Sequence, residues 1–285
     1  RVHMKIKSST MDKVFVTFNT IFLVLFVTIT LYPVLNTVAL SFNDGIDAVR
    51  GGIHLWPRIF TLSNYKTVLH QQNILTGAVV SVARTVLGTI FSLVTNALLA
   101  YIISRKRFLF RSQLSLFWVI TMYVNGGMIP TLVLYRNMNL TNSYAGLIMV
   151  YAGSSGLGYL ICKGFFDTVP VALREAAKLD GASEARIFFQ IVIPMSRPIL
   201  VYTIISSFLT PWTDFVVAKM ILNSGVSSDW TVAIGLYNML QKALVNSYFS
   251  RFCAGGVLVA VPISILFVIM QKFYVEGITS GAAKG

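Results

Sequence analysis

The chain has 285 residues, 55% of them hydrophobic and only 12% charged, and its formal net charge is +13 at pH 7. Soluble domains carry about 25% charged residues, so this composition excludes an ordinary soluble domain. The basic residues lie mainly in short gaps between apolar runs, which is typical of membrane topology and argues against a nucleic-acid binder. Apolar runs long enough to cross a bilayer core of about 30 Å recur along the chain. We therefore predict an all-α, polytopic membrane protein.

Six transmembrane helices are predicted, in one domain that covers residues 1–285. Their predicted bounds, in chain order, are Val14–Leu40, Ile74–Ser104, Leu114–Tyr135, Tyr144–Lys163, Ile199–Leu222 and Phe252–Phe273. Between the first two spans, the pattern predicts a loop and then a short interfacial helix at Phe60–Leu69. A second surface helix is predicted at residues 230–244, before the last span.

Lys and Arg are distributed unevenly between the gaps, and this asymmetry predicts that both termini are cytoplasmic. The cytoplasmic set is then Arg1, Lys5, Lys7, Lys13, Arg105, Lys106, Arg107, Arg111, Lys163, Arg174, Lys178, Arg186, Arg197, Lys272 and Lys284. The smaller outer set is Arg50, Arg58, Lys66, Arg136, Lys242 and Arg251. Two basic residues, Arg84 and Lys219, fall within predicted spans.

Glycine and proline interrupt two of the predicted spans. The third contains Gly126, Gly127 and Pro130, and the fourth contains the run from Gly153 to Gly158. Irregular backbone at membrane depth is tolerated where it is buried in protein or lines a water-filled cavity. Each break therefore has two interpretations, a wall of a pathway through the membrane or close packing through small residues. We favour the pathway for Gly126 and Gly127, and packing for the fourth span.

The longest polar interruption between apolar segments lies at residues 174–198. Because Pro170 fits the first turn of a helix, a short helix is predicted at Val171–Leu179. Gly181 supplies the left-handed backbone geometry that ends a helix, and Ser183 can cap a second helix. The sequence therefore predicts a helix–turn–helix on the cytoplasmic face.

The order of residues in this interruption resembles the motif EAA-x3-G-x9-I-x-L-P, the cytoplasmic signature of permease subunits of bacterial ABC importers. The chain matches it at every position except one, where Ile193 replaces leucine. By this resemblance, residues 166–197 form a coupling segment that sits in a cleft of an ATP-binding subunit. The residues that would carry this role here are Glu175, Ala176, Ala177, Asp180, Gly181, Ile191 and Pro194.

Other stretches resemble the sugar-importer, maltose-type branch of the same family. They are FTLSNY at 60–65, AYIISR at 100–105 and FFDTVPVALREAAKLDG at 165–181. The stretch TMYVNGGMIPT at 121–131 resembles permeases of polysaccharide and uronate-oligosaccharide importers. The resemblance covers nearly the whole chain and implies an importer of oligosaccharides, with alginate or pectin fragments as the specific expectation.

The chain contains no phosphate-binding loop of the form G-x4-G-K-[ST], no metal-ligand spacing and no catalytic constellation. It is therefore expected not to be an enzyme and to bind no cofactor or metal. The resemblance implies two separate ATP-binding subunits that carry ATP and Mg, a second and related permease subunit, and an extracytoplasmic solute-binding protein. It also implies that the chain lies among lipid in the bacterial inner membrane, with no nucleic-acid partner.

Arg84 is a candidate pathway residue because it lies about ten residues, or roughly 15 Å, inside the second span. An Arg at mid-membrane costs about 2.5–3.5 kcal/mol on insertion scales, so it should face protein or water. Three interpretations stay open. Arg84 lines a cavity and meets a substrate carboxylate, or it pairs with an acid such as Asp214, or the span begins later and Arg84 reaches the interface.

Thr210, Trp212 and Asp214 are further candidates, in the outer half of the fifth span. An aromatic ring suits the apolar face of a sugar, and a carboxylate accepts hydrogen bonds from its hydroxyl groups. The alternative makes Pro211 a kink and Trp212 an anchor at the membrane interface.

Other functional classes have less support in the sequence. An ion-coupled secondary carrier would usually show internal repeats and paired intramembrane carboxylates, and neither is clear here. An integral membrane enzyme would need a catalytic constellation. An ABC permease for a solute other than a sugar stays open.

Overall fold

The computed structural model describes residues 10–124, 126–153, 155–222, 230–241 and 248–282. These residues form helices joined by short connections. The helices are α1 (Thr10–Ser41), α2 (Gly45–Val49), α3 (Ser63–His70), α4 (Gln72–Ser104), α5 (Arg111–Tyr123), α6 (Met128–Asn137), α7 (Tyr144–Ala152), α8 (Gly156–Asp167), α9 (Val171–Leu179), α10 (Glu184–Ile187), a π-helix (Phe188–Val192), α11 (Ile193–Met195), α12 (Arg197–Thr213), α13 (Val216–Ile221), α14 (Val232–Gln241) and α15 (Tyr248–Ala282).

Four stretches of the described residues are long and apolar enough to cross a membrane. They are Thr10–Ser41, Asn73–Ser104, Tyr144–Asp167 and Tyr248–Lys272. Two bent pairs of helices also pass the same test. The chain bends by 116° between α5 and α6, and by 85° between the stretch Glu184–Met195 and α12. The number of candidate spans rises to six if each bent pair counts as one. The all-α membrane fold expected from composition is confirmed.

The chain divides into two compact units. The first comprises Arg1–His70 and Asn238–Leu258, and the second comprises Gln71–Tyr237 and Val259–Gly285. Every candidate site residue lies in the second unit. The single domain expected over residues 1–285 stays a prediction.

In the first unit, polar side chains join the end of α1 to α3. Asn64 Nδ2 donates hydrogen bonds to the backbone carbonyls of Ser41 (3.0 Å) and Asn43 (2.8 Å), at and just beyond the end of α1. The Tyr65 hydroxyl lies 2.7 Å from Ser41 Oγ. Since a helix end leaves carbonyls unpaired, these contacts satisfy groups that would otherwise need water. A short helix is therefore present as α3, beginning three residues later than predicted, and the FTLSNY stretch supplies the residues that hold it to α1. Its place at the membrane interface stays a prediction.

In the second unit, α4 is the central helix and packs against α7, α8 and α12. A buried cluster surrounds its C-terminal end and includes residues of the coupling segment. Its members are Ala97, Ala100, Tyr101, Ile103, Tyr159, Cys162, Phe166, Val169, Ile187, Phe188, Val192 and Leu200. The coupling segment is therefore packed onto the end of α4.

At the break between α7 and α8, side chains accept hydrogen bonds from two of the described backbone N–H groups. Asn96 Oδ1 on α4 accepts a hydrogen bond from the Ser155 backbone N–H (3.2 Å), and Ser155 Oγ accepts one from Gly158 N–H (2.9 Å). A Cβ on Gly158 would lie 2.7 Å from Ser155 Oγ and 3.0 Å from Asn96 Oδ1, which is too close. At Gly158 this geometry supports the packing interpretation, because the small residue lets the helices approach. Gly153, Ser155 and Gly158 also line a cleft, so the pathway interpretation of this break stays open.

The predicted fifth span comprises two helices rather than one. α12 ends at Thr213, and α13 begins at Val216. The Asp214 carboxylate accepts hydrogen bonds from the backbone N–H groups of Val217 (3.0 Å) and Ala218 (2.9 Å). The apolar pattern continues to Leu222, but this acid provides a local start for a new helix and so ends the first one.

Candidate functional site

The first helix of the coupling segment is α9, with the bounds predicted from sequence. Gly181 has φ of 77°, in the left-handed region. The Ala182 N–H donates to the Ala177 carbonyl (2.9 Å), and the Gly181 N–H donates to the Lys178 carbonyl (3.0 Å). These two bonds form a Schellman motif, which satisfies carbonyls at the end of α9. Pro170 occupies the N-cap position, one residue earlier than predicted.

The second part of the segment begins at a side-chain cap, as predicted. Ser183 Oγ accepts a hydrogen bond from the Arg186 N–H (3.3 Å) at the start of α10. The chain then widens into the π-helix, where the Ile193 N–H donates to the Phe188 carbonyl. Because Pro194 has no N–H to donate, a wider turn just before it accommodates the missing bond. Pro194 therefore lies within the short helix α11, which ends at Met195.

The helix α9 presents two different faces. Glu175, Ala176 and Asp180 are exposed, as is Gly181 beyond the helix end, and Leu179 is 90% exposed. On the opposite side, Arg174 is buried, and Ala177, like Ile191 further along, packs against the buried cluster at the end of α4. The exposed face contains small and acidic residues that a second protein could approach.

Tyr101, near the end of α4, joins that helix to the turn of the coupling segment. Its hydroxyl donates to the Glu184 carboxylate at Oε2 (2.7 Å) and lies 3.2 Å from the Glu184 carbonyl oxygen. The other oxygen of Glu184 forms an ion pair with Lys178. Hydrogen bonds from Lys178 and Tyr101 lower the pKa of the Glu184 carboxyl, so it is ionised at neutral pH. The sequence placed Tyr101 in the AYIISR stretch but did not indicate this contact.

Arg84 is bound by the break after α12. Its side chain is 1% exposed, and its Nη1 lies 3.6 Å from Asp214 Oδ2. Nη2 donates to the carbonyl of Asp214 (2.9 Å) and to the carbonyl of Pro211. The Pro211 carbonyl lies in the last turn of α12, where the backbone hydrogen-bond ladder ends, and it accepts this bond from Arg84. Of the three interpretations of Arg84, this geometry favours the pair with Asp214.

A cleft of about 390 Å³ opens between α4, α7, α8 and α12. Among the described residues that line it, none is charged. Hydroxyl groups are frequent, and they belong to Ser92, Tyr151, Ser155, Tyr202, Thr203, Ser206, Ser207 and Thr210. Tyr202, Ser206 and Thr210 follow one another at intervals of four, which places them on one face of α12. That spacing is the sequence signal that could have found this face.

Apart from Thr210, none of the predicted pathway residues lines this cleft. Trp212 is 7% exposed, and its Nε1 donates to the Val259 carbonyl on α15 (3.1 Å). Its ring stacks on Phe208 at a centroid distance of 5.7 Å. Gly126 and Gly127 are exposed at the bend between α5 and α6, where Gly127 has φ of 86°. Only Thr210 joins the cleft, and roles in a pathway for Trp212, Gly126 and Gly127 stay predictions.

A sequence profile described as "binding-protein-dependent transport system inner membrane component" matches residues 7–279. The chain belongs to this family of transport permeases. It is 33% identical to the galactooligosaccharides transport system permease protein GanQ of Bacillus subtilis (strain 168), covering 94% of this chain and 95% of GanQ. It is 30% identical to the polygalacturonan/rhamnogalacturonan transport system permease protein YtcP of the same organism, covering 93% and 96%. The coupling motif is typical of the family.

Solved structures share the fold of this permease. A chain from a bacterial ABC transporter involved in the import of the acidic polysaccharide alginate has a TM-score of 0.85. That comparison covers 95% of this chain and 100% of the other, at 23% identity. A second structure, of the alginate transporter in complex with an alginate pentasaccharide-bound periplasmic protein, has a TM-score of 0.54 at 12% identity. At these identities the comparison supports the fold alone. The family match and the several long apolar helices indicate a multi-pass protein of the inner membrane.

Proposed function

We propose that this chain is one permease subunit of an ATP-driven oligosaccharide importer and that its coupling segment receives work from an ATP-binding subunit. The observation that carries the proposal is the two-sided character of α9. Glu175 and Ala176 of the family motif are exposed, while Arg174 and Ala177 face the protein. Work from the ATP-binding subunits would rock the helices between inward-facing and outward-facing states.

The rest of the assembly follows from the family and from its relatives. A second, related permease subunit completes the pore, and two ATP-binding subunits hold ATP and Mg, so this chain itself binds no cofactor and hydrolyses nothing. A solute-binding protein delivers substrate at the outer face, in keeping with the family description. Both termini are cytoplasmic, which the excess of Lys and Arg in the corresponding gaps supports.

The substrate is an oligosaccharide released from a polysaccharide. The relatives named above are described as transporters of galactooligosaccharides and of polygalacturonan or rhamnogalacturonan. The hydroxyl-rich cleft suits a sugar, because serine, threonine and tyrosine hydroxyls both donate and accept hydrogen bonds. Thr210 would lie in the pathway. An acidic substrate, such as a pectin or alginate fragment, is the specific candidate within this class.

Co-purification tests the coupling role. Glu175→Arg reverses a charge on the exposed face of α9 and should release the ATP-binding subunit from the detergent-solubilised complex. Asp12→Arg is the matched control, since Asp12 is also an exposed acid but lies in the first turn of α1, outside the coupling segment. The proposal is wrong if both variants retain the ATP-binding subunit equally.

ATP turnover tests the substrate class. The complex, reconstituted with its binding protein, should hydrolyse ATP faster when an oligosaccharide is added. Galactooligosaccharides, oligogalacturonides and alginate oligomers are compared at one concentration, with an amino acid mixture as the non-sugar control. Stimulation by the amino acids and by none of the saccharides would contradict the proposal. Stimulation by galactooligosaccharides alone would exclude the acidic candidate.

A further inference from the structure

We infer that Tyr101 is a positioning residue that makes the coupling segment move as one body with α4, so that force on α9 reaches the cleft. The inference rests on the proposed contact between α9 and an ATP-binding subunit. It concerns a different residue, on a different helix, which lies outside the motif at residues 175–194.

The hydroxyl, the ring face and the ring edge of Tyr101 each contact a different residue. The hydroxyl binds Glu184, the face of the ring lies 3.7 Å from Arg105 Cζ, and the ring contacts Phe188 edge-on at a centroid distance of 4.8 Å. The residue is 7% exposed. These three contacts restrict rotation of the Tyr101 side chain, so its hydroxyl holds Glu184 at a fixed position relative to α4.

The Glu184 carboxylate joins three helices at this point. Glu184 is the first residue of α10, its Oε1 pairs with Lys178 on α9, and its Oε2 accepts the hydroxyl hydrogen bond from Tyr101 on α4. A hydrogen bond to an ionised carboxylate is stronger than one between neutral groups. Both halves of the helix–turn–helix therefore connect to α4 through a single group.

The helix α4 continues without a break from Tyr101 to Arg84. The two residues are 17 positions apart, a rise of about 25 Å. At the far position, Arg84 binds the carbonyls of Pro211 and Asp214 at the end of α12. Since α12 contributes Thr210 to the cleft, one stiff helix connects the turn of the coupling segment to the cleft wall.

The test measures movement at the cleft and needs no identified substrate. Thr210→Cys is introduced as a reporter, because native Cys162 and Cys253 are buried. Its labelling rate by a membrane-impermeant maleimide is compared in the complete complex before and after trapping with ATP and vanadate. Trapping should change the rate several-fold. Adding Tyr101→Phe, which keeps the ring and removes the hydroxyl, should reduce that several-fold change to about twofold or less.

Controls separate transmission from folding and from docking. Tyr159→Phe removes another buried tyrosine hydroxyl, one that lies 3.1 Å from Ser115 Oγ and away from Glu184, and it should leave the change intact. Glu184→Ala removes both the acceptor for the Tyr101 hydroxyl and the partner of Lys178, so it should shrink the change at least as much as Tyr101→Phe does. Adding Tyr101→Phe to Glu184→Ala should then have no further effect, because the acceptor is already gone. Each variant should trap as much nucleotide as the wild type.

The outcomes distinguish this inference from the proposed function. Release of the ATP-binding subunit by Glu175→Arg, together with an unchanged labelling response in Tyr101→Phe, would overturn the inference alone. Loss of the ATP-binding subunit in Tyr101→Phe would also overturn it, because the residue would then serve docking. An absence of any labelling change on trapping, with Tyr101 intact, would show that force does not reach α12 and would equally reject it.

Discussion

Two ion pairs differ in their exposure to water. One lies in the coupling segment, where Tyr101 of α4 contacts it, and the other includes Arg84 of α4. At the coupling segment, the side chains of Lys178 and Glu184 are 49% and 51% exposed, so water solvates both charges. At the other place, the Arg84 side chain is 1% exposed and that of Asp214 is 14% exposed. An exposed pair contributes little net free energy, whereas a buried charge that loses its partner is costly. The exposed pair therefore defines geometry, and the buried pair is needed for the fold itself.

Removing the acid of the buried pair should have the largest effect. Asp214→Ala leaves the Arg84 guanidinium buried without its counter-charge, and we expect a loss of about 3–5 kcal/mol in the free energy of unfolding. The measurement is thermal unfolding of the purified complex in detergent. Asp167→Ala breaks the more exposed Lys163 pair and should cost about 0–1 kcal/mol. Equal losses in the free energy of unfolding for the two variants would contradict a larger contribution from the buried pair.

A smaller effect is expected at the turn of the coupling segment, from backbone conformation alone. Gly181→Ala places a side chain at φ of 77°, which costs about 1–2 kcal/mol for an L-residue. Gly164→Ala is the matched control, because a Cβ at either glycine meets no atom within 4 Å and only Gly181 has positive φ. Limited proteolysis of the segment should accelerate in the first variant only. Similar rates in the two would exclude a strained turn.

The smallest effect is expected for the exposed pair. Lys178→Gln removes the charge that pairs with Glu184, yet the free energy of unfolding should change by less than about 1 kcal/mol. Thermal unfolding measures it under the conditions used for Asp214→Ala. A cost as large as that of Asp214→Ala would mean that water does not solvate this pair.

The same contrast explains what the sequence could predict. The bounds of α9, the turn at Gly181 and the cap at Ser183 depend on residues a few positions apart, so local chemistry predicts them. The partner of Arg84 lies 130 positions along the chain, and only the packing of α4 against α12 selects it from the open interpretations. The sequence could name Asp214 as a candidate, because it is an acid within a predicted span, but it could not select this contact over the alternatives.

Other features of the structure depend on neighbouring residues in some cases and on distant residues in others. Pro194 has no N–H to donate, yet the preceding π-helix accommodates it and the chain stays helical to Met195. Trp212 suggests a surface for a sugar, but its Nε1 binds a carbonyl of α15, a helix predicted as a separate span. The face formed by Tyr202, Ser206 and Thr210 follows from a spacing of four and could have been predicted.

Site-directed cross-linking tests the central claim most directly. Ala176→Cys places a thiol on the exposed face of α9, and the two native cysteines are buried. In sealed inside-out vesicles that contain the whole transporter, a bifunctional reagent should join this thiol to the ATP-binding subunit, and bound ATP should change the yield. A cross-link to no ATP-binding subunit, or labelling only from the outer face of the membrane, would contradict the account.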